Sequence, residues 1–255
     1  VLWEHYSAAQ CIESESDLSH GIDVPYRIPN QINYPSTLSL PVPTGYWRAV
    51  FNTQNAFVNE CFIDELAAAS ASDPYAFRMA LLDDEDPIKQ VLELAASQSG
   101  WGTPLPVGWG RGIACHKTWN TSVAQVVEVS VIDGELKIQR VVCAVNCGQI
   151  INPDMIEAQM EGGIGFGLTS ALYGEITLNQ CQVVQRQFHD YPLLRFDEMP
   201  VVEVHIVPDG LCPTGVGEMG NPPVTPALLN AIYAVTGKRI RQLPIRVEDL
   251  SAGDE

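Results

Sequence analysis

The stretch VAQVVEVSVIDGELKIQRVVCAV, residues 123–145, alternates apolar and polar side chains on either side of Asp133-Gly134. A period of two residues is typical of β-strands, and Asp-Gly between two such runs favours a two-residue hairpin turn. We therefore predict a β-hairpin with strands at Val123–Ile132 and Leu136–Val145. The same period already begins after Gly112.

Helices are predicted before this hairpin. Residues 55–69 place apolar side chains at helical spacing. Asp73-Pro74 and Asp86-Pro87 each join an N-cap residue to a proline suited to the first helical position. Gly100 is a typical helix stop. The sequence therefore predicts three helices ahead of the sheet.

The segments after the hairpin mix helices and strands in separate blocks, which indicates an α+β fold rather than strict β-α alternation. The predicted elements are a helix from Asn152-Pro153 through Gln159 into Gly162-Gly163, a second hairpin over Leu172–Val184 around Asn179-Gln180, a strand at Val201–Val207, and a last helix from Pro222-Pro223 to Gly237.

Residues 1–46 differ from the rest of the chain because prolines are dense there, and proline disrupts both helices and strand ladders. We predict an extended, irregular arm that packs on another surface. The prolines are Pro25, Pro29, Pro35, Pro41 and Pro43.

The composition excludes several classes of protein. With 14 basic and 31 acidic residues, the net charge of −17 argues against a nucleic-acid partner, which would need clustered Lys and Arg. No apolar run reaches the roughly 20 residues that span a bilayer. No Gly-x-Ser-x-Gly motif points to a serine hydrolase. The chain begins at Val1, so we expect a fragment or a processed piece, with any targeting segment outside it.

Seven cysteines occur without a Cys-x-x-Cys motif, which argues against a disulfide framework in a chain of 255 residues. The only close pair is Cys143 and Cys147. Two thiolates alone do not complete a metal site, so we interpret them as small apolar residues in a strand and at its exit.

Three segments carry residues suited to chemistry, although each has a plainer interpretation. Glu218 follows Gly215-Val216-Gly217 just before the last predicted helix, where glycines allow close approach of a ligand and the free N–H groups of the helix start favour an anionic cofactor. It could equally be a solvated loop glutamate. Gln159 lies two turns into a helix and could be a surface residue. Arg48 stands among aromatic residues and could pair with an anion or only stack on the surface.

The order and spacing of these segments resemble the large, molybdenum-binding subunits of the xanthine dehydrogenase and aldehyde oxidase family, most closely the isoquinoline 1-oxidoreductase type. The resemblance covers nearly everything after residue 41. The motifs that carry it are Gly45 to Ala69 with Tyr46-Trp47-Arg48, Phe188 to Arg195, and Pro213 to Pro244 with Gly215-Val216-Gly217-Glu218 and Asn221-Pro222-Pro223.

The resemblance implies a C-terminal molybdopterin-binding domain of a xanthine-oxidase-type large subunit. Residues 47–255 would be part of the molybdopterin-binding region, and residues 1–46 would pack on the rest of that subunit. Glu218 matches the catalytic base of the family. Gln159 and Gly215-Val216-Gly217 match cofactor-binding positions, and no residue of this chain is expected to ligate the metal directly.

Arg48 matches an arginine near the substrate pocket of the family. Xanthine-type members continue with Gly-Phe-Gly-Gly, whereas this sequence has Ala49-Val50-Phe51-Asn52. The departure weakens the case for a purine substrate. We also find no loop of the kind that supplies the glutamine facing the apical oxo group, and no iron–sulfur ligands.

The implied activity is hydroxylation of an N-heteroaromatic, isoquinoline-like substrate with oxygen from water. The implied cofactors are molybdenum-molybdopterin, in its cytosine dinucleotide form, and [2Fe-2S] clusters on a small partner subunit. Other implied partners are the remainder of the molybdenum subunit and a cytochrome electron acceptor. Two alternatives stay open: an aldehyde dehydrogenase of the same family, and a non-catalytic piece that stabilises a larger complex. The compartment stays open between the bacterial cytoplasm and the periplasmic side of the membrane.

Overall fold

A computed structural model describes residues 2–9, 20–39 and 44–250. Within these residues the chain forms five α-helices and eight β-strands, with short 3₁₀ turns at Phe188–Asp190 and Val247–Asp249. In chain order the elements are β1 (Leu2–Ala9), β2 (Asn30–Thr37), α1 (Asn52–Ala69), α2 (Pro74–Leu81), α3 (Pro87–Ser99), β3 (Trp109–Thr118), β4 (Thr121–Ile132), β5 (Glu135–Asn146), α4 (Pro153–Tyr173), β6 (Leu178–Asn179), β7 (Gln182–Val183), β8 (Val201–Ile206) and α5 (Val224–Thr236).

A four-stranded sheet with the order β3-β4-β5-β8 forms the centre of the molecule. The predicted hairpin is confirmed as β4 and β5, which pair antiparallel, with Asp133 and Gly134 at φ 53° and 79° in the turn. Strand β3 pairs antiparallel with β4, and β8 pairs parallel with β5. The strand predicted at Val201–Val207 is thus also confirmed.

Both faces of this sheet are covered, which makes three layers. On one face, Val123 and Val127 of β4 join a buried cluster with α4 and α5. On the other face, Val126 of β4 and Val142 of β5 join a second cluster with α1, α2 and α3. The predicted α+β class is confirmed, and β4 is buried along most of its length because helices lie on both sides of it.

The helix predicted from Asn152-Pro153 is longer than expected, since α4 continues past Gly162-Gly163 to Tyr173. Glycine is a weak helix former, so the sequence suggested an earlier end. The structure explains the exception by close packing: a Cβ at Gly163 would lie 2.9 Å from Cα of Gly220. As a result, the hairpin predicted over Leu172–Val184 is reduced to the two-residue strands β6 and β7.

The prediction of an irregular arm at residues 1–46 is wrong for part of that segment. Strands β1 and β2 pair parallel, and Trp3 and Tyr26 are buried in the cluster beside α1, α2 and α3. Pro35 lies in β2, where most side chains are exposed and where an edge strand tolerates proline. Pro41 and Pro43 lie outside the described residues. That this segment packs on the rest of a large subunit stays a prediction.

The cysteine pair Cys143 and Cys147 is buried, with exposed fractions of 0% and 2%, as expected for apolar core residues. Burial raises the pKa of the Cys143 thiol to about 12. Among the described residues no group of three or more His, Cys, Asp or Glu could hold a metal ion. In the same part of the chain, none of the helices combines the length and apolar character needed to cross a membrane.

Candidate functional site

Three segments that are distant in sequence meet at one place on the surface. They are the turn at residues 46–51 ahead of α1, Gln159 in the second turn of α4, and the glycine loop (residues 214–221) between β8 and α5. Arg48, Gln159 and Glu218 are each half-buried there. The structure therefore brings the three predicted site residues together.

The guanidinium group of Arg48 joins the three segments. Its Nε donates to the carbonyl of Gly217 at 2.8 Å, and its Nη2 donates to the same carbonyl. Nη2 also lies 3.2 Å from Oε1 and 3.3 Å from the carbonyl oxygen of Gln159. Because a guanidinium presents its donors in a rigid planar fork, these bonds fix the glycine loop against α4.

Glu218 contacts the turn rather than the helix. Its Oε1 accepts a hydrogen bond from the backbone N–H of Ala49 at 3.1 Å. Desolvation by burial lowers the pKa of Arg48, while the nearby charge of Glu218 raises it. The carboxylate is thus held by a backbone donor on one oxygen and lies close to a cation.

The turn that presents this donor is strained. Ala49 and Val50 have φ of 72° and 51°, in the left-handed region that favours glycine. Val50 is β-branched, and such residues are rare there. The sequence departs from the glycine-rich family pattern at this place, and the chain holds at some cost in free energy a conformation that glycines would adopt freely.

Strand β4 anchors the glycine loop from below. Thr121 Oγ1 donates to the carbonyl of Gly215 at 2.8 Å, and Gln125 Nε2 donates to the carbonyl of Gly220 at 2.9 Å. Sequence reasoning missed both residues. Gln125 could have been noticed because apolar residues flank it on both sides in β4, and a fully buried amide needs a specific partner.

The glycines of the loop fit a cofactor that approaches from outside this chain. A Cβ built on Gly215 would meet nothing within 4 Å, and one on Gly217 would lie 3.8 Å from Oε1 of Gln159. Neither residue has φ in the left-handed region. Neither packing nor backbone conformation within the described chain requires glycine here, whereas close approach of a ligand to the backbone would require it.

One expectation about this loop is wrong. The start of α5 was predicted to offer free N–H groups to an anionic cofactor. Val224, Thr225 and Ala227 are buried, with exposed fractions of 0%, 1% and 0%, because α5 begins inside the core beside α4. The start of α5 is thus covered, whereas Gly215 and Gly217 of the loop are exposed.

An aromatic patch lies next to Arg48. The rings of Trp47 and Phe166 are 4.6 Å apart between centroids, and the guanidinium carbon of Arg48 is 5.9 Å from the Phe166 ring. Tyr46, Trp47 and Phe166 are 50%, 38% and 38% exposed. Phe166 was not predicted as a site residue, because only the course of α4 past its glycines brings it here.

Residues 67–200 match the molybdopterin cofactor-binding domain family. The chain belongs to this family. It is 34% identical over 228 residues to the beta chain of isoquinoline 1-oxidoreductase from Brevundimonas diminuta, a match covering 88% of this chain and 29% of the relative. It is 30% identical over 232 residues to a nicotinate dehydrogenase subunit of Pseudomonas putida, covering 83% and 19%.

Solved structures show the same fold for this molybdopterin cofactor-binding domain. Aldehyde oxidoreductase from Desulfovibrio desulfuricans aligns with a TM-score of 0.72 and 13% identity, covering 96% of this chain and 46% of that one. Quinoline 2-oxidoreductase from Pseudomonas putida 86 aligns with a TM-score of 0.74 and 12% identity, covering 88% and 55%. The predicted membership in the xanthine dehydrogenase and aldehyde oxidase family is confirmed, and the chain spans less than a third of either curated relative.

Proposed function

We propose that this chain forms one wall of the active site of a molybdenum hydroxylase that oxidises an isoquinoline-like N-heteroaromatic compound with oxygen from water. The observation that carries the proposal is the meeting of Glu218, Gln159 and the backbone of Gly215 to Gly217 around Arg48. A general base needs a carboxylate fixed in place yet open to substrate, and the half-buried Glu218 meets that need.

The cofactor would be held by Gln159 and by the backbone of Gly215, Val216 and Gly217. When bound, molybdenum-molybdopterin supplies two-electron redox capacity and Lewis acidity. The chain contributes the proton acceptor: Oε1 of Glu218 is tied to the Ala49 N–H, which leaves Oε2 to take up a proton. Arg48 holds the glycine loop against α4 through its hydrogen bonds to Gly217 and Gln159.

The finer parts of the proposal concern the complete enzyme. We propose the cytosine dinucleotide form of the cofactor, [2Fe-2S] clusters on a small partner subunit, and a cytochrome as electron acceptor. The rest of the molybdenum subunit would supply the other walls of the site. Residues 1–46 would lie against that part, since Leu2 and Tyr6 of β1 are 56% and 67% exposed.

The aromatic patch favours a ring-shaped substrate. Flat aromatic side chains stack on planar rings, and Trp47 and Phe166 offer exposed ring surface beside Arg48. Aldehyde oxidation is the second candidate, supported by 31% identity over 231 residues to a membrane-bound aldehyde dehydrogenase of Gluconacetobacter polyoxogenes. Both candidates use Glu218 in the same way.

The test is metal analysis and turnover of the natively purified complete enzyme. We expect molybdenum together with iron, and faster oxidation of isoquinoline than of a small aliphatic aldehyde. In H₂¹⁸O the hydroxylated product should carry the label. A complex without molybdenum would contradict the proposal. A preference for the aldehyde would favour the second candidate, and metal content without any turnover would favour a stabilising role.

A further inference from the structure

The strained turn at Arg48 to Val50 is held by one side-chain and one backbone hydrogen bond within its own segment. Asn52 Nδ2 donates to the carbonyl of Ala49 at 3.0 Å, and the Val50 N–H donates to the carbonyl of Trp47 at 2.8 Å. Left-handed conformations are unfavourable for non-glycine residues and persist only where the surroundings enforce them. The surroundings of this turn therefore decide where the Ala49 N–H points.

Asn221 makes a further hydrogen bond between the turn and the glycine loop. Its Nδ2 donates to the carbonyl of Arg48 at 2.7 Å and to Oγ1 of Thr53 at 2.9 Å. Thr53 Oγ1 in turn lies 3.2 Å from the same Arg48 carbonyl, to which it donates. A backbone carbonyl only accepts hydrogen bonds, so the amide group and not the amide oxygen of Asn221 must face it.

The place of Asn221 in the fold leaves it little freedom. It is 0% exposed, and a Cβ at Gly167 of α4 would lie 2.8 Å from its Oδ1. The side chain thus fills a space that exists only because residue 167 is glycine. It stands three residues after Glu218, so one short segment carries both the carboxylate and the side chain that fixes the donor opposite it.

We propose that Asn221 is a positioning residue for Glu218: it fixes the Arg48 carbonyl, and through the strained turn it fixes the Ala49 N–H that holds one oxygen of the Glu218 carboxylate. The inference rests on the proposed function in so far as the position of Glu218 matters for turnover. Asn221 itself touches neither substrate nor cofactor in this account.

The experiment compares variants of the complete enzyme by turnover and by hydrogen exchange. Asn221→Asp removes the donor and is nearly isosteric, and Thr53→Val removes the hydroxyl that supports it. We expect kcat to fall about 10- to 100-fold for N221D and less for T53V, with unchanged KM and molybdenum content, because small displacements of a catalytic group are costly. Exchange of the Ala49 amide should accelerate in both variants.

Two further variants serve as controls. Thr53→Ser keeps the hydroxyl and should restore kcat and the slow exchange of the Ala49 amide. Thr236→Val is the matched change elsewhere, because Thr236 Oγ1 also donates to a carbonyl, that of Ile232 at 2.9 Å, and accepts a backbone N–H, that of Lys238 at 3.2 Å. It should leave both readouts unchanged.

The proposal is overturned if N221D and T53V exchange the Ala49 amide at the wild-type rate, or if both keep wild-type kcat at full molybdenum content. It is also overturned if kcat falls only in proportion to lost molybdenum. Full turnover of Glu218→Gln would instead refute the proposed function. In that event the exchange data would still show whether Asn221 controls the Ala49 amide.

Discussion

Arg48 holds the candidate site together through its guanidinium group. In the structure its Nε and Nη2 donors go to protein acceptors, the carbonyl of Gly217 and the side chain of Gln159. Neither acceptor is within 100 positions of Arg48 in the sequence, so no local pattern could have revealed the pairing.

Arg48→Lys tests whether the residue braces the site. Lysine keeps the charge but cannot form the forked bonds, so we expect kcat/KM to fall about 10-fold, with the loss mainly in kcat. Arg241→Lys is the matched control, because Arg241 makes an exposed ion pair with Glu65 at 2.7 Å. A higher KM with unchanged kcat would instead support direct contact between Arg48 and the substrate.

His116 gives the fold a pH dependence. It is buried, its Nε2 lies 2.9 Å from Oδ1 of Asn52, and desolvation lowers its pKa from 6.5 to about 4. The unfolded chain therefore binds a proton at a higher pH than the folded chain does. The contribution of the neutral His116 side chain to the free energy of unfolding is fully present above pH 6.5, and it is lost as the pH falls from 6.5 towards 4.

His116→Gln should remove most of this dependence, because glutamine can donate to Asn52 but does not titrate. For the wild type we expect the free energy of unfolding to drop by about 2 kcal/mol between pH 7.5 and pH 5 from this group. The measurement is denaturant unfolding at both pH values. His189→Gln, at an exposed position, should behave like the wild type. An equal pH dependence in H116Q would show that another group is responsible.

At the scale of elements, local chemistry predicted helix starts well. Asp73, Asp86 and Asn152 cap α2, α3 and α4 by accepting the N–H groups of Ala76, Ile88 and Met155 at 2.8, 3.0 and 3.2 Å. These caps depend only on residues two or three positions apart, so the sequence contains all the information.

The elements whose extent was not predicted depend on distant contacts. Strand β3 contains glycines, which local preference disfavours in a strand. They are needed because α5 packs closely there: a Cβ at Gly112 would lie 2.2 Å from the carbonyl of Ala227 in α5. The extension of α4 depends likewise on contact with Gly220. Tertiary packing overrides local preference in both places, and no neighbour in the sequence signals it.

Two glycines of the loop should respond differently to the same change. A Cβ at Gly220 would lie 2.5 Å from the carbonyl of Met160, so Gly220→Ala should destabilise the fold by about 1–3 kcal/mol. Gly215→Ala meets nothing within 4 Å and should leave the melting temperature unchanged while lowering molybdopterin content. The measurements are thermal unfolding and pterin analysis. Full cofactor content in G215A would contradict the assignment of this loop to the cofactor.

At the scale of the whole molecule, the order of motifs indicated the family, whereas only the structure could bring Arg48, Gln159 and Glu218 together. In the sequence, helices α1 to α3 and strands β3 to β5 stand between Arg48 and Gln159, and strands β6 to β8 stand between Gln159 and Glu218. Their contact depends on the close packing of α4 against the glycine loop, and such packing depends on side-chain volumes that no motif describes. The roles of the site residues accordingly stay predictions to be tested.

Two large apolar side chains, Phe188 and Phe196, are 98% and 99% exposed, and in the complete enzyme we expect other protein to cover them. The chain covers 29% of the isoquinoline 1-oxidoreductase relative that it resembles. We therefore expect the decisive measurement to require the complete enzyme.

That measurement is the turnover of Glu218→Gln in the molybdenum-loaded complete enzyme, with molybdenum content determined on the same sample. Glutamine is nearly isosteric and can still accept the Ala49 N–H, but it cannot take up the proton. Glu93→Gln, at an exposed position on α3, is the control and should turn over like the wild type. We predict that E218Q keeps its molybdenum and loses about 10²- to 10⁴-fold in kcat. Wild-type turnover of E218Q at full molybdenum content would contradict the account.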